Sequence, residues 1–283
     1  MTPALEGDIT VEARAIGTSP DDWAVDAEGD EVGWGPVLDT RLRLGGEVHG
    51  GKVRAHGQLD LLTGQLAGST WALSPMDERG RDVRDAVSLA GIAPREALVG
   101  ARLPWFDLEV GLTTAGWGLG MVANDGANDP LFGRSDFGDR AIRARLATAP
   151  FARGEERFPL FVLVAADRVV ADDLASMWDG DVAWQGIAAA LYREEDRGAG
   201  VYGVIRDQVS AEGDHTAAKV VDGYADWTLH PASLDLRLAF EAAALFGRTD
   251  AATNYVAPDG LTIRQQGLAV RTELGRDPWR LHL

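Results

Sequence analysis

The feature that most constrains this chain is a two-residue rhythm of apolar and polar side chains that recurs from one end to the other. Over residues 38–48, Leu38, Leu42, Leu44 and Val48 fall on one side of an extended strand, while Asp39, Arg41, Arg43 and Glu47 fall on the other. Successive side chains of a strand point to opposite faces, so such a segment separates its chemistry cleanly. The next run repeats it, with Val53, Ala55, Gly57, Leu59 and Leu61 against Lys52, Arg54, His56, Gln58 and Asp60. A later copy sets Leu234, Leu236, Leu238 and Phe240 against Asp235, Arg237 and Glu241.

The rhythm predicts strands over 8–16, 37–48, 52–62, 96–103, 106–114, 138–149, 159–167, 184–194, 200–208, 217–229, 233–246 and 261–273, with a cut strand at 278–283. That makes thirteen strands, most of about the 9–11 residues that cross a bilayer at a tilt. The connections after 48, 103, 149, 194, 229 and 273 read as short. Those after 16, 62, 114, 167 and 246 read as long, with the one after 208 intermediate. Alternation of short and long connections is what an antiparallel transmembrane barrel requires, with short periplasmic turns on one side and long outer loops on the other. Trp105, Phe106, Phe151, Phe158 and Trp227 lie beside the short turns, where an interfacial aromatic girdle belongs.

Composition narrows the alternatives. The absence of cysteine rules out a disulfide-stapled module and thiol chemistry. A formal charge of -17 disfavours a nucleic-acid partner, which needs a basic surface. No uncharged apolar stretch approaches the ~20 residues of a membrane helix; the longest runs from Pro159 to Ala166. The first residues, Met1 to Glu6, have neither the basic start nor the apolar core of a signal peptide. Trp279, Leu281 and Leu283 alternate with Arg280 and His282, so the chain reads as stopping inside a strand, as a C-terminally truncated fragment of one barrel domain spanning 1–283.

Trp117-Gly118-Leu119-Gly120-Met121-Val122-Ala123-Asn124-Asp125-Gly126, followed by Phe137-Gly138-Asp139-Arg140, resembles a family of Gram-negative outer-membrane β-barrels, porin-like and similar in style to alginate-export barrels. The general pattern covers nearly the whole chain, while the motif covers about residues 106–146. The resemblance implies an outer-membrane location, contact with lipid and lipopolysaccharide, and a pore or exporter role; it supplies no catalytic residue. Barrels of this style often carry Gly-Arg-Gln where this chain has Gly111-Leu112-Thr113, which removes a lumen arginine and weakens transfer of a solute preference.

Other motifs read as structure. Gly46 to Lys52 matches the first part of a phosphate-binding loop, but Val53 stands where a Ser or Thr would hold magnesium and both flanks are strands, so a hairpin turn is expected. Gly116-Trp117-Gly118-Leu119-Gly120 lacks dinucleotide spacing and reads as a Gly-rich loop lying close to the wall. Asn124 to Asp129 offers hard oxygen ligands without the order of a calcium loop, and a solvated turn is the simpler reading. The five histidines have no zinc spacing. Ser210 and Ser233 with His215 or His230 are the candidate hydrolase groups, and nothing in their spacing compels a catalytic pair.

The polar faces carry the functional expectation. If the apolar faces meet lipid, the pore-lining set is Asp39, Arg41, Arg43, Lys52, Arg54, Arg102, Asp107, Glu109, Arg143, Arg145, Asp235, Arg237 and Glu241. These residues form either cross-strand ion pairs or a field that selects charged, including anionic, solutes. The expectation is thus an all-β, antiparallel transmembrane barrel acting as a passive channel for small hydrophilic solutes or a polymer. It is not an enzyme, needs no cofactor or metal, and leaves homo-oligomerisation open. Two other classes remain: a soluble or secreted all-β carbohydrate-binding protein and an outer-membrane hydrolase.

Overall fold

A computed structural model describes residues 6–18, 23–24, 31–32, 37–68, 88–126, 138–151, 159–172, 174–231, 234–251, 260–276 and 279–282. The strands are β1 (Glu6–Thr18), β2 (Trp23–Ala24), β3 (Glu31–Val32), β4 (Val37–Gly50), β5 (Val53–Gly68), β6 (Ser88–Arg102), β7 (Asp107–Thr114), β8 (Arg140–Thr148), β9 (Leu160–Ala171), β10 (Val182–Arg193), β11 (Arg197–Val209), β12 (His215–Leu229), β13 (Asp235–Thr249), β14 (Leu261–Arg276) and β15 (Trp279–His282). One 3-10 turn, Met177–Asp179, is the only helical element among the described residues.

The long strands hydrogen-bond in sequence order as a 13-stranded sheet, β1-β4-β5 and onward to β15, while β2 and β3 pair separately. Neighbours pair antiparallel from β6 to β15. The sheet is open, and among the described residues no pairing joins β1 to β15. A closed wall is therefore not part of the described structure. The described residues divide into two compact units, those within Glu6–Val48 and His56–Glu96 in one, and those within His49–Ala55 and Ala97–Leu283 in the other.

Connection lengths follow the expected parity only in part. The turns at 51–52, 103–106 and 194–196 are short, but the connection over 149–159 is as long as the one over 172–181. The hairpin over 210–214 is shorter than either, so parity alone does not sort the two ends of the sheet. Phe158 lies outside the described residues.

In the larger unit the strand register assigns each side chain to a face. One cross-strand row runs Leu108, Leu146, Val164, Ala188, Gly203, Val221 and Ala244. A row on the opposite face, three residues along each strand, runs Gly111, Arg143, Asp167, Gln185, Arg206 and Ala218. The apolar face is the exposed one: Val201 is 59%, Val221 61% and Leu268 71% exposed. Asp167 and Glu241, on the polar face, are each 0% exposed. A water-soluble domain distributes these types the other way round.

Candidate polar site beneath the 115–126 segment

The polar face of β10–β14 is floored with small residues. Gly200, Ala239, Ala243, Gly267 and Ala269 stand beside or opposite Tyr224, Asp222 and Glu241 in the register. The space they leave is filled by the segment 115–126, which follows β7 and folds back onto this face. The segment closes on itself, with Trp117 N–H donating to Ala123 O at 3.0 Å and Gly120 N–H to Trp117 O at 2.9 Å. Leu119 packs on Ala239 and Ala269, and Ala123 packs on Ile187, Tyr202 and Val204.

Trp117 stacks on Tyr202 with ring centroids 5.2 Å apart and an interplanar angle of 21°. Its indole Nε1–H donates to Asp222 Oδ1 at 2.8 Å. The amides of Leu119 and Met121 both donate to Glu241 Oε2, the second at 3.5 Å. Two glycines make this approach possible. A Cβ at Gly200 would stand 2.7 Å from Trp117 Cη2, and one at Gly118 would stand 2.6 Å from Glu241 Oε2. Gly118 also has φ +56, in the left-handed region that a side chain disfavours. The Gly-rich run thus lies against the wall, held by carboxylates that the sequence places more than a hundred residues away.

The expected pore-lining residues form pairs rather than a free basic patch. Arg41 donates to Glu12, and Arg43 grips Asp60 at 2.6 and 3.1 Å, both within the smaller unit. In the larger unit Glu109 accepts from Arg54 and Arg145 together. Arg143 holds Asp167 through two 2.7 Å bonds, and Gln185 adds a third donor at 3.0 Å. Arg237 lies 3.4 Å from Asp226 and 3.5 Å from Glu273. Arg102 and Asp107 meet at 3.3 Å in the exposed β6–β7 turn, and Lys52 is exposed in the turn over 51–52. Glu241 belongs to the segment site, and the side chain of Asp39 lies outside the described residues.

Asp235 is drawn instead to His230, whose imidazole bridges Asp235 at 2.8 Å and Asp196 at 3.1 Å across two neighbouring turns. These two hydrogen bonds, the Asp196 one foremost, raise the His230 pKa above its ordinary 6.5. In the adjacent turn Arg197 and then Tyr192 hydrogen-bond Glu194 and hold its carboxyl below the usual range.

Other candidate chemistry resolves into turn structure. Ser210 Oγ accepts from Asp214 N–H at 3.1 Å, and His215 faces Asp207 at 2.8 Å. No Ser–His hydrogen bond occurs among the described residues, and Ser233 lies outside them. Asn124 Oδ1 accepts from Gly126 N–H at 2.8 Å, closing an Asx turn; residues 127–129 lie outside the described residues. No group of His, Asp and Glu suited to a metal ion occurs among the described residues.

Sequence reasoning did not single out Asp167, Asp222 or Asp226 as members of the polar face. Their signal was a carboxylate at the polar parity of an otherwise apolar strand, as with Asp222 between Val220 and Tyr224. Comparison with protein-family models and with curated proteins finds no match for this chain.

Proposed function

We propose that this chain forms the wall of an outer-membrane pore, with its apolar face in lipid and its ion-paired face lining a water-filled passage for small hydrophilic solutes. The observation that carries the reading is the inverted distribution of side chains, with Val201, Val221 and Leu268 bare and Asp167, Asp222 and Glu241 buried. Lipid is the solvent in which such an apolar face is favourable, and a strand wall closed into a barrel is one of the two structures whose backbone groups pair fully there.

Dimensions support it. Trp184 and Phe246 are exposed toward the ends that lead to 172–181 and 250–260, and Trp227 is exposed toward the opposite end. Phe246 pairs with Lys219 on β12, and at about 3.4 Å per residue the span from Lys219 to Trp227 is about 27 Å. An apolar band of about 25 Å between aromatic girdles is what an outer-membrane barrel needs. Completion of the open sheet into a barrel is part of this proposal.

Solutes would pass over a face of alternating, mutually neutralised charges, with the segment 115–126 narrowing the passage. A hydrolase reading lacks a Ser–His pair among the described residues, and a soluble carbohydrate-binding reading leaves the bare apolar rows unexplained. Because the chain has no cysteine, single labels are straightforward. A fluorophore on Val221→Cys in refolded protein should be quenched by brominated lipid, and one on Ala218→Cys by an aqueous quencher. Aqueous quenching at both positions would rule the reading out.

A further inference from the structure

The buried carboxylates of the larger unit divide into two kinds. Asp167, Asp226 and Glu273 each face an arginine, from Arg143, Arg193 and Arg271 respectively. Asp222 and Glu241, 1% and 0% exposed, have no ion pair among the described residues. One oxygen of each accepts from the 115–126 segment, Asp222 Oδ1 from Trp117 and Glu241 Oε2 from Leu119 and Met121. The remaining oxygens, Asp222 Oδ2 and Glu241 Oε1, are buried with no donor, and the register sets the two carboxylates diagonally on one face, Asp222 opposite Ala243 and Glu241 opposite Tyr224.

Two ionised carboxylates side by side and away from water repel each other, and buried polar atoms are costly when left unsatisfied. We propose that Asp222 and Glu241 share one proton and together latch the segment 115–126 to the polar face, so that removing this proton releases the segment. The acid and its conjugate base exchange one proton with water, and no other bond changes. With both groups ionised, two like charges are confined together away from water and from any arginine, and the site relaxes by letting the segment go.

The groups facing the pair from the packed elements do not neutralise it. Tyr202 on β11 and Tyr224 on β12 are neutral phenols. On β14, Arg271 is bound to Glu273 at 2.7 Å, and on β13, Arg237 lies between Asp226 and Glu273. Farther along the face, Arg143 is held by Asp167, and Asp139 from the segment's C-terminal side binds Asn124. The latch stands on the loop contacts, the burial and the register; its consequence for conduction rests on the pore reading.

The test is the labelling rate of Met121→Cys in the refolded protein as pH rises, divided by that of Ala211→Cys, an exposed turn position that corrects for ionisation of the thiol itself. The latch requires a several-fold rise in this ratio. Adding Glu241→Gln should abolish the rise and keep the ratio low, because the amide offers the loop its acceptor and gives Asp222 a permanent donor. Asp222→Asn should do the same, with its side-chain oxygen still accepting from Trp117, and it serves if the first variant does not fold. A flat ratio in the unaltered pair, or an equal rise in a folded amide variant, overturns the proposal. Conductance in the same preparation decides the pore reading separately.

Discussion

Trp117 Nε1 donates a 2.8 Å hydrogen bond to Asp222 Oδ1 across a sequence separation of 105 residues. This bond, with the stack of the same ring on Tyr202, ties a loop to the polar face of a sheet whose other face exposes large apolar side chains. Replacing Trp117 by Phe keeps a ring for the stack but strips Asp222 of a donor. We expect a loss of about 1–3 kcal/mol in unfolding free energy, read from denaturant titration of refolded protein. Gly118→Ala should be at least as disruptive, since its methyl would displace Glu241.

Arg143 and Arg145 are neighbours in sequence parity with different expected outcomes. Arg143→Gln leaves buried Asp167 without its cation and should destabilise the protein by about 3–5 kcal/mol. Arg145→Gln leaves Glu109 its bond to Arg54, so it should fold with a cost within about 1 kcal/mol. In a reconstituted pore this variant should move the reversal potential toward cation preference, because one fixed positive charge is gone. An unchanged potential in a salt gradient would make Arg145 a structural partner only.

His230 ties the turn at 194–196 to the start of β13, and its pKa is raised by Asp196 and Asp235. A group whose pKa is higher in the folded state stabilises fully below its unfolded value, and this contribution disappears as pH rises through the folded value. The stability difference between the wild type and His230→Gln should therefore be largest at acid pH and vanish in alkali. Imidazole titration by NMR should place the folded midpoint above 6.5; a midpoint at or below it would refute the assignment.

How much of this was legible beforehand depends on the range over which each feature is determined. Strands such as β13 were plain because Leu236, Leu238 and Phe240 alternate locally with Arg237 and Glu241. β6 begins at Ser88, well before the expected 96, because Gly91 and Pro94 blur its alternation. Leu62, with φ 50, marks an irregularity in β5 that no local pattern announces. The connection after 149 reads as short in the sequence, yet it runs over 149–159, because strand pairing and not the local pattern sets the ends of β8 and β9. Ion partners were hidden for a different reason: Arg143 meets Asp167 only once β8 and β9 take their register. The seat of Trp117 required the joint placement of β11, β12 and β13, which no spacing in the sequence encodes.

Val201 lies on the exposed face near the middle of the span between Lys219 and Trp227, opposite Gly223. In lipid, Val201→Arg should cost about 2–4 kcal/mol. On a water-exposed surface the same change would fall within about 0.5 kcal/mol. Denaturant midpoints of the two proteins refolded into vesicles separate these values.

Electrical recording across a planar bilayer asks the question most directly. Purified protein, refolded in detergent with its strand signature intact by circular dichroism, is added to one side of the membrane under an applied potential. Discrete, ohmic conductance steps that scale with salt concentration are the predicted result. A folded protein that stays monodisperse in water without detergent and leaves the bilayer insulating would contradict the pore.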